Sequence, residues 1–193
     1  MALLLPEKID DFFRDEMAEI IQRRKKLIGH SLRTNKNDLT QEFEYLVAML
    51  SKFAVDVSYF QQHWSAAPLS DFIGLQQNKE LTKINGLADF CLFRVGFYPF
   101  GFKRFDNRKI FIFAGERAYR FLGQKNFARR GDIFITLADN FTIFCNIFSE
   151  VGTNQNFEAE ELNELAKFYY ETGNPLAYKI LFSQGVTVVP RGL

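Results

Sequence analysis

The sequence is poor in the residues from which reactive motifs are built. Of 193 residues, two are Cys, two His, one Trp and five Pro. The only histidines are His30 and His63, and neither follows a Glu by three positions, so the Glu-x-x-His pairs of a four-helix di-metal site are absent. There is no Cys-x-x-Cys and no His-x-x-x-His, so no metal ligand set is predicted. Gly-x-Ser-x-Gly and Gly-rich phosphate loops are missing too, which removes the common nucleophile and nucleotide signatures. No cofactor is expected.

Charge of one sign is also lacking: the formal net charge is +1. No global field draws the chain to nucleic acid or anionic lipid. Long apolar runs are interrupted. The stretch 84–102 contains Asp89, Arg94 and Pro99, and 133–148 contains Asp139. Spanning a bilayer takes ~20 predominantly apolar residues, so no membrane insertion is expected. Met1–Glu7 has neither the basic lead nor the apolar length of a secretory signal. Cys91 and Cys145 fall in apolar helical stretches, where buried reduced thiols of a cytosolic protein are expected.

What is abundant is phenylalanine, with 23 copies. Its spacing is helical. Phe134, Leu137, Phe141, Phe144, Phe148 and Val151 recur every three or four residues, as do Leu81, Ile84, Ala88, Cys91, Val95 and Tyr98. Hydrophobic residues make up 47% and charged residues 24%, ordinary values for a globular chain. The expectation is an all-α, single-domain bundle of about seven or eight helices over residues 1–193. The tail 185–193 is expected to be frayed or strapped onto the domain.

Helices are predicted over 7–29, closed by Gly29, and from Asn37 or Asp38 to about His63, where His63 reads as a cap or surface residue. Others are expected at 69–76, 79–98, 107–122 and 131–151, and from an Asn156 cap to 172. Gly173-Asn174-Pro175 marks a tight turn into a last helix at 175–184. Helix 79–98 is apolar on nearly every face, with Phe90, Phe93 and Phe97 beside the first stripe, so it should sit at the centre of the bundle.

A charge in a central helix needs a partner. Asp89 and Arg94 lie about 140° apart around the helix and cannot readily pair with each other. Partners are offered by Glu116, Arg117 and Tyr119 on one neighbouring helix and Asp139 on another. These six residues form the candidate network, read either as interhelix pairs that fix register or as a pocket for a small ligand.

The run Leu87-Ala88-Asp89 through Gly96-Phe97-Tyr98-Pro99, with Ala114-Gly115 and Ala118-Tyr119 in the next helix, resembles a family of bacterial helical proteins without an assigned activity. Ala88 replaces the Gly that precedes Asp in that pattern. The resemblance covers residues 87–120 and implies that Asp89, Gly96 and Tyr119 matter to the fold.

Two basic blocks remain. Arg23–Lys36 holds six Lys or Arg and no acid, and Lys103–Arg130 holds nine bases against Asp106 and Glu116. The segment Asp132–Glu171 answers with eight acids against Lys167. Complementary blocks favour matching within or between copies of the chain over binding to nucleic acid. The leading reading is a non-enzymatic cytosolic interaction or scaffold protein that forms a homodimer. Its surface would be the Phe100–Phe105 loop, Phe127, Tyr169 and Tyr170. The alternative is a ligand carrier or enzyme with an aromatic-lined pocket near Asp89, Arg94 and Tyr119.

Overall fold

The computed structural model describes residues 6–31, 39–55, 59, 62–63, 65–97, 105–151, 153 and 157–189. The fold is all-α. Among the described residues there are nine α-helices and no strand: α1 (Pro6–Ser31), α2 (Thr40–Val55), α3 (Pro68–Gln77), α4 (Leu81–Phe97), α5 (Phe105–Gln124), α6 (Gly131–Asp139), α7 (Phe141–Glu150), α8 (Ala159–Thr172) and α9 (Pro175–Ser183). None of the described helices is long and apolar enough to cross a membrane.

Helix α4 is the axis. Every residue from Gly86 to Phe97 is buried, beneath α2, α3, α5 and α7. Its rings join a column with α2, Phe53 of α2 on Phe93 at 4.9 Å between centroids and Phe93 on Phe97 at 4.8 Å. Each such side chain contributes about 1.5–3 kcal/mol by leaving water. Cys91 and Cys145 are buried free thiols, and burial pushes both thiol pKa values up.

The predicted helix 131–151 is two helices. Apolar spacing runs through Asn140 without a fault, but Asn140 leaves the helical region at φ −117° and ψ 19°. Its backbone N–H and its side-chain amide both donate to the Thr136 carbonyl, at 3.1 and 3.0 Å. Its own carbonyl accepts from Phe144 at 3.1 Å and starts α7. One buried Asn thus closes α6 and opens α7, which lets α6 lie on α5 while α7 turns onto α4 and α1.

Other boundaries shift for local reasons. Gly29 lies inside α1, whose described extent reaches Ser31. The described extent of α2 reaches Val55, and Tyr59 and Gln62 farther on are again helical. The start of α8 is capped by Glu158, not Asn156: the Glu158 N–H donates to the Glu161 carboxylate at 2.9 Å in a reciprocal capping box. Asn37, Asp38, Asn156, Tyr98, Pro99 and the 100–104 stretch lie outside the described residues.

The α8–α9 turn forms as expected. Gly173 takes a left-handed φ of 68°, its N–H donates to Tyr169 at 2.7 Å, and the Asn174 side chain accepts from Ala177 at 3.0 Å. Tyr169 is not a surface residue. It is 1% exposed, and its hydroxyl donates to the Val189 carbonyl at 3.2 Å, holding residues 186–189 as a strap. Phe127 is half-buried against Phe134, so among the aromatics expected outside whose side chains are described, Tyr170 is the exposed one; the Phe105 side chain lies outside the description.

Candidate functional site

A central helix with no wet face must satisfy Asp89 from its neighbours, and two tyrosines do so. The Tyr45 hydroxyl of α2 donates to Asp89 Oδ1 at 2.6 Å, and the Tyr119 hydroxyl of α5 donates to the same oxygen at 2.7 Å. One turn back on α4, the Asn85 amide donates to Oδ2 at 3.2 Å, and Tyr45 lies 3.1 Å from the Asn85 carbonyl oxygen. One carboxylate therefore ties three helices together.

Burial sets its chemistry. Loss of water raises the Asp89 pKa from 3.8 to about 6, against the opposing pull of the two phenols and of Lys52. The phenols move the other way from reactivity. Burial first, then the neighbouring carboxylate, holds Tyr45 and Tyr119 well above 10, so both remain protonated donors at neutral pH.

The carboxylate is buried but not sealed. Asp89, Asn85 and Tyr45 lie at the deep end of an open cavity of about 520 Å³ between α2, α4 and the start of α6. That volume is in the range of small-molecule sites. Exposed Lys52, Arg129 and Arg130 line its mouth, with Met49, Tyr59 and Ile133 as apolar wall. Glu44 is also at the mouth, engaged by Arg14.

The arginines are placed by an unusual turn. Asn126, Ala128 and Arg129 have φ of 47°, 51° and 58°, left-handed values adopted without glycine. Such residues cost of order 1–3 kcal/mol each and persist only where the surroundings enforce them. Here the Asn126 side chain accepts from the Gly131 N–H at 3.1 Å, and the Arg129 and Arg130 N–H groups donate to Asn126 and Phe127 at 3.0 Å.

Of the six residues singled out in the sequence, the structure joins Asp89 and Tyr119. Arg94 is buried farther along α4, where its charge acts on Tyr178 of α9. Glu116 and Arg117 lie on the outer face of α5, with the Arg117 guanidinium 4.4 Å from the Phe113 ring centroid. Asp139 pairs with Arg120 at 2.7 Å. None of these four lines the Asp89 cavity. Tyr45, Lys52, Arg129 and Arg130 carried no individual signal in the sequence, whereas Asn85, four residues before Asp89, was within reach of helical spacing.

Two further polar places were not foreseen. Lys179 of α9 is 7% exposed, donates to the Phe148 carbonyl and sits 4.1 Å from the Phe97 ring centroid. Burial lowers its pKa well below 10.5, partly offset by Glu16 and Glu150. His63 is half-buried against Tyr59 at 4.2 Å between centroids, and lines a second cavity of about 540 Å³ with Ser65 and Asp71. A Cβ on Gly86 would lie 2.0 Å from the His63 ring, so a bare glycine makes room for it. Ser65 donates to Asp71 at 2.6 Å while His63 Nδ1 meets the Tyr59 carbonyl at 2.8 Å, so no serine–histidine relay exists there.

Among the described residues, no three His, Cys, Asp or Glu side chains gather closely enough to hold a metal ion. Compared with known protein families, curated proteins and solved structures, the chain matches none.

Proposed function

We propose that this chain is a ligand-binding protein that takes a small polar molecule in the Asp89 cavity. The observation that carries the reading is a carboxylate held by two phenols at the deep end of an open 520 Å³ space. Three donors fill three of the roughly four acceptor positions of the carboxylate, which leaves one for a bound molecule. Asp89 offers a bound molecule a strong acceptor in a desolvated setting. The buried free thiols support a reduced, cytosolic setting for it.

The test is a fragment screen of neutral, anionic and cationic small molecules on the ¹⁵N-labelled chain. Binding in the cavity shifts the amide signals of Tyr45, Asn85 and Asp89, and Asp89→Asn weakens the hits. If no fragment moves those signals, the reading falls.

A second reading, protein interaction, draws support from another face. Ile73, Ile110 and Phe113 are 43–48% exposed on α3 and α5, beside a shallow apolar groove lined by Leu69 and Ile112. Self-association through this face is the form of interaction that the composition favours.

A further inference from the structure

We propose that the ligand of the Asp89 cavity is a small phosphomonoester whose far end carries an amine or hydroxyl, with the phosphate against Lys52, Arg129 and Arg130 and the donor on Asp89. The inference rests on the ligand-binding reading above and adds the chemical class.

Charge at the cavity is lopsided. Lys52, Arg129 and Arg130 bring three positive charges to the lining, and Asp89 brings one negative charge. The fourth ionic group, Glu44, is already neutralised by Arg14. With the ligand's donor on Asp89, the three rim cations face its other end, which suits the dianion of a phosphomonoester near neutral pH better than a carboxylate. Among the described residues, neither Arg129 nor Arg130 enters an ion pair, so their guanidinium forks are available for bidentate contacts to phosphate oxygens.

The backbone adds to this. Arg130 stands at the N-cap position of α6, so the positive end of that helix, whose first N–H is taken by Asn126 Oδ1, lies beside the arginines and adds to their field. The left-handed residues of the 126–129 turn are what bring Arg129 and Arg130 to the rim. Phosphate at the mouth and acceptor at depth then fix the ligand's direction: its anion stays outside, and its donor goes in.

Arginines at a surface also serve nucleic acid, but this arrangement favours a small molecule. The three cations line a pocket that also holds a buried carboxylate, which would repel a polyanion. A polyanion laid across the mouth would leave Asp89 unused.

The experiment titrates 3-aminopropyl phosphate, propylamine, inorganic phosphate and a short single-stranded DNA into the ¹⁵N-labelled full chain. It is repeated on Arg129→Gln/Arg130→Gln and on Asp89→Asn. The expected result is that 3-aminopropyl phosphate shifts amides at both the rim (Arg129–Ile133) and the depth (Asn85–Asp89). Inorganic phosphate should shift the rim alone. The double arginine variant weakens both phosphates by about tenfold or more. Asp89→Asn weakens the aminoalkyl phosphate but not inorganic phosphate, a crossed pattern that general unfolding cannot produce.

Three results overturn the proposal. Neutral or cationic fragments that shift Asn85 and Asp89 while no phosphomonoester does would leave a ligand site of another class. Phosphate shifts that survive the double arginine change would mark adventitious binding. DNA that binds tighter than the aminoalkyl phosphate, through the same arginines, would assign the rim to nucleic acid. Silence from every compound at every cavity amide instead brings down the ligand-binding reading itself.

Discussion

At the scale of single residues, Asp89 sets the terms. Its folded pKa of about 6 stands above the ordinary 3.8, so between those values the folded chain holds a proton that the unfolded chain has lost. Its contribution to stability is therefore greatest below about pH 4, falls as pH rises, and is gone above about 6. The gap corresponds to roughly 3 kcal/mol. Asp89→Asn cannot titrate, so urea unfolding from pH 4 to 7.5 should show wild type losing about that much relative to the variant. A pH-independent difference would mean that the carboxyl has an ordinary pKa. Tyr119 has the companion role. Its hydroxyl is fully buried and donates to the carboxylate at 2.7 Å. Tyr119→Phe should cost about 1.5–3 kcal/mol and move the Asp89 pKa above about 6, since that donation holds it down. Carboxyl ¹³C titration reads the shift directly. Asp89 and Tyr119 were legible because a charge in an all-apolar helix stands out. Lys52, Arg129 and Arg130 were not, because on its own an exposed base looks the same whether it faces bulk water or a cavity.

At the scale of elements, apolar periodicity was sound wherever packing decides the outcome. The central position of α4 follows from the absence of a polar face over 86–97, and the α8–α9 turn from Gly173-Asn174-Pro175. Periodicity failed at Asn140, where the hydrophobic beat continues across a break made by side-chain donation to the backbone. Helix crossings depend on what is missing as much as on what is present. A Cβ on Gly96 would stand 2.7 Å from the Phe148 Cβ and 3.0 Å from the Cys145 carbonyl oxygen, so α4 and α7 meet nearly backbone to backbone. Gly74 in α3 has nothing within 4 Å of the same position. Gly96→Ala should thus lose about 1–3 kcal/mol to overpacking, although Gly74→Ala, with space to spare, should gain up to about 1 kcal/mol from helix propensity. Chemical denaturation of the two variants side by side checks both signs. Equal effects would mean that α4 and α7 are not in close register at Gly96.

At the scale of the whole molecule, the separated charge blocks meet inside one chain. Arg120 of the basic segment pairs with Asp139 of the acidic one, and Arg23 of α1 reaches Glu150 of α7 at 3.1 Å. These partly exposed contacts are each worth about 1 kcal/mol or less. They orient helices more than they stabilise them, and they leave the near-neutral surface free of repulsion between copies. The apolar surface is less even. One exposed cluster, Ile73, Ile110 and Phe113, lies on α3 and α5, and a second, Tyr170, Phe182 and Val189, lies near the α8–α9 hairpin. The first flanks a groove of about 450 Å³ that a neighbouring side chain can enter, which makes it the better core for an interface. A two-fold contact there places the same face of each copy on the other, so a single charge introduced into it acts twice. Sedimentation equilibrium at micromolar concentration should therefore show wild type at twice the 22.5 kDa of the chain, with Phe113→Asp returning it to 22.5 kDa and Phe182→Asp leaving it dimeric. Wild type at 22.5 kDa would remove self-association altogether, and a dimer broken only by Phe182→Asp would move the interface to the hairpin.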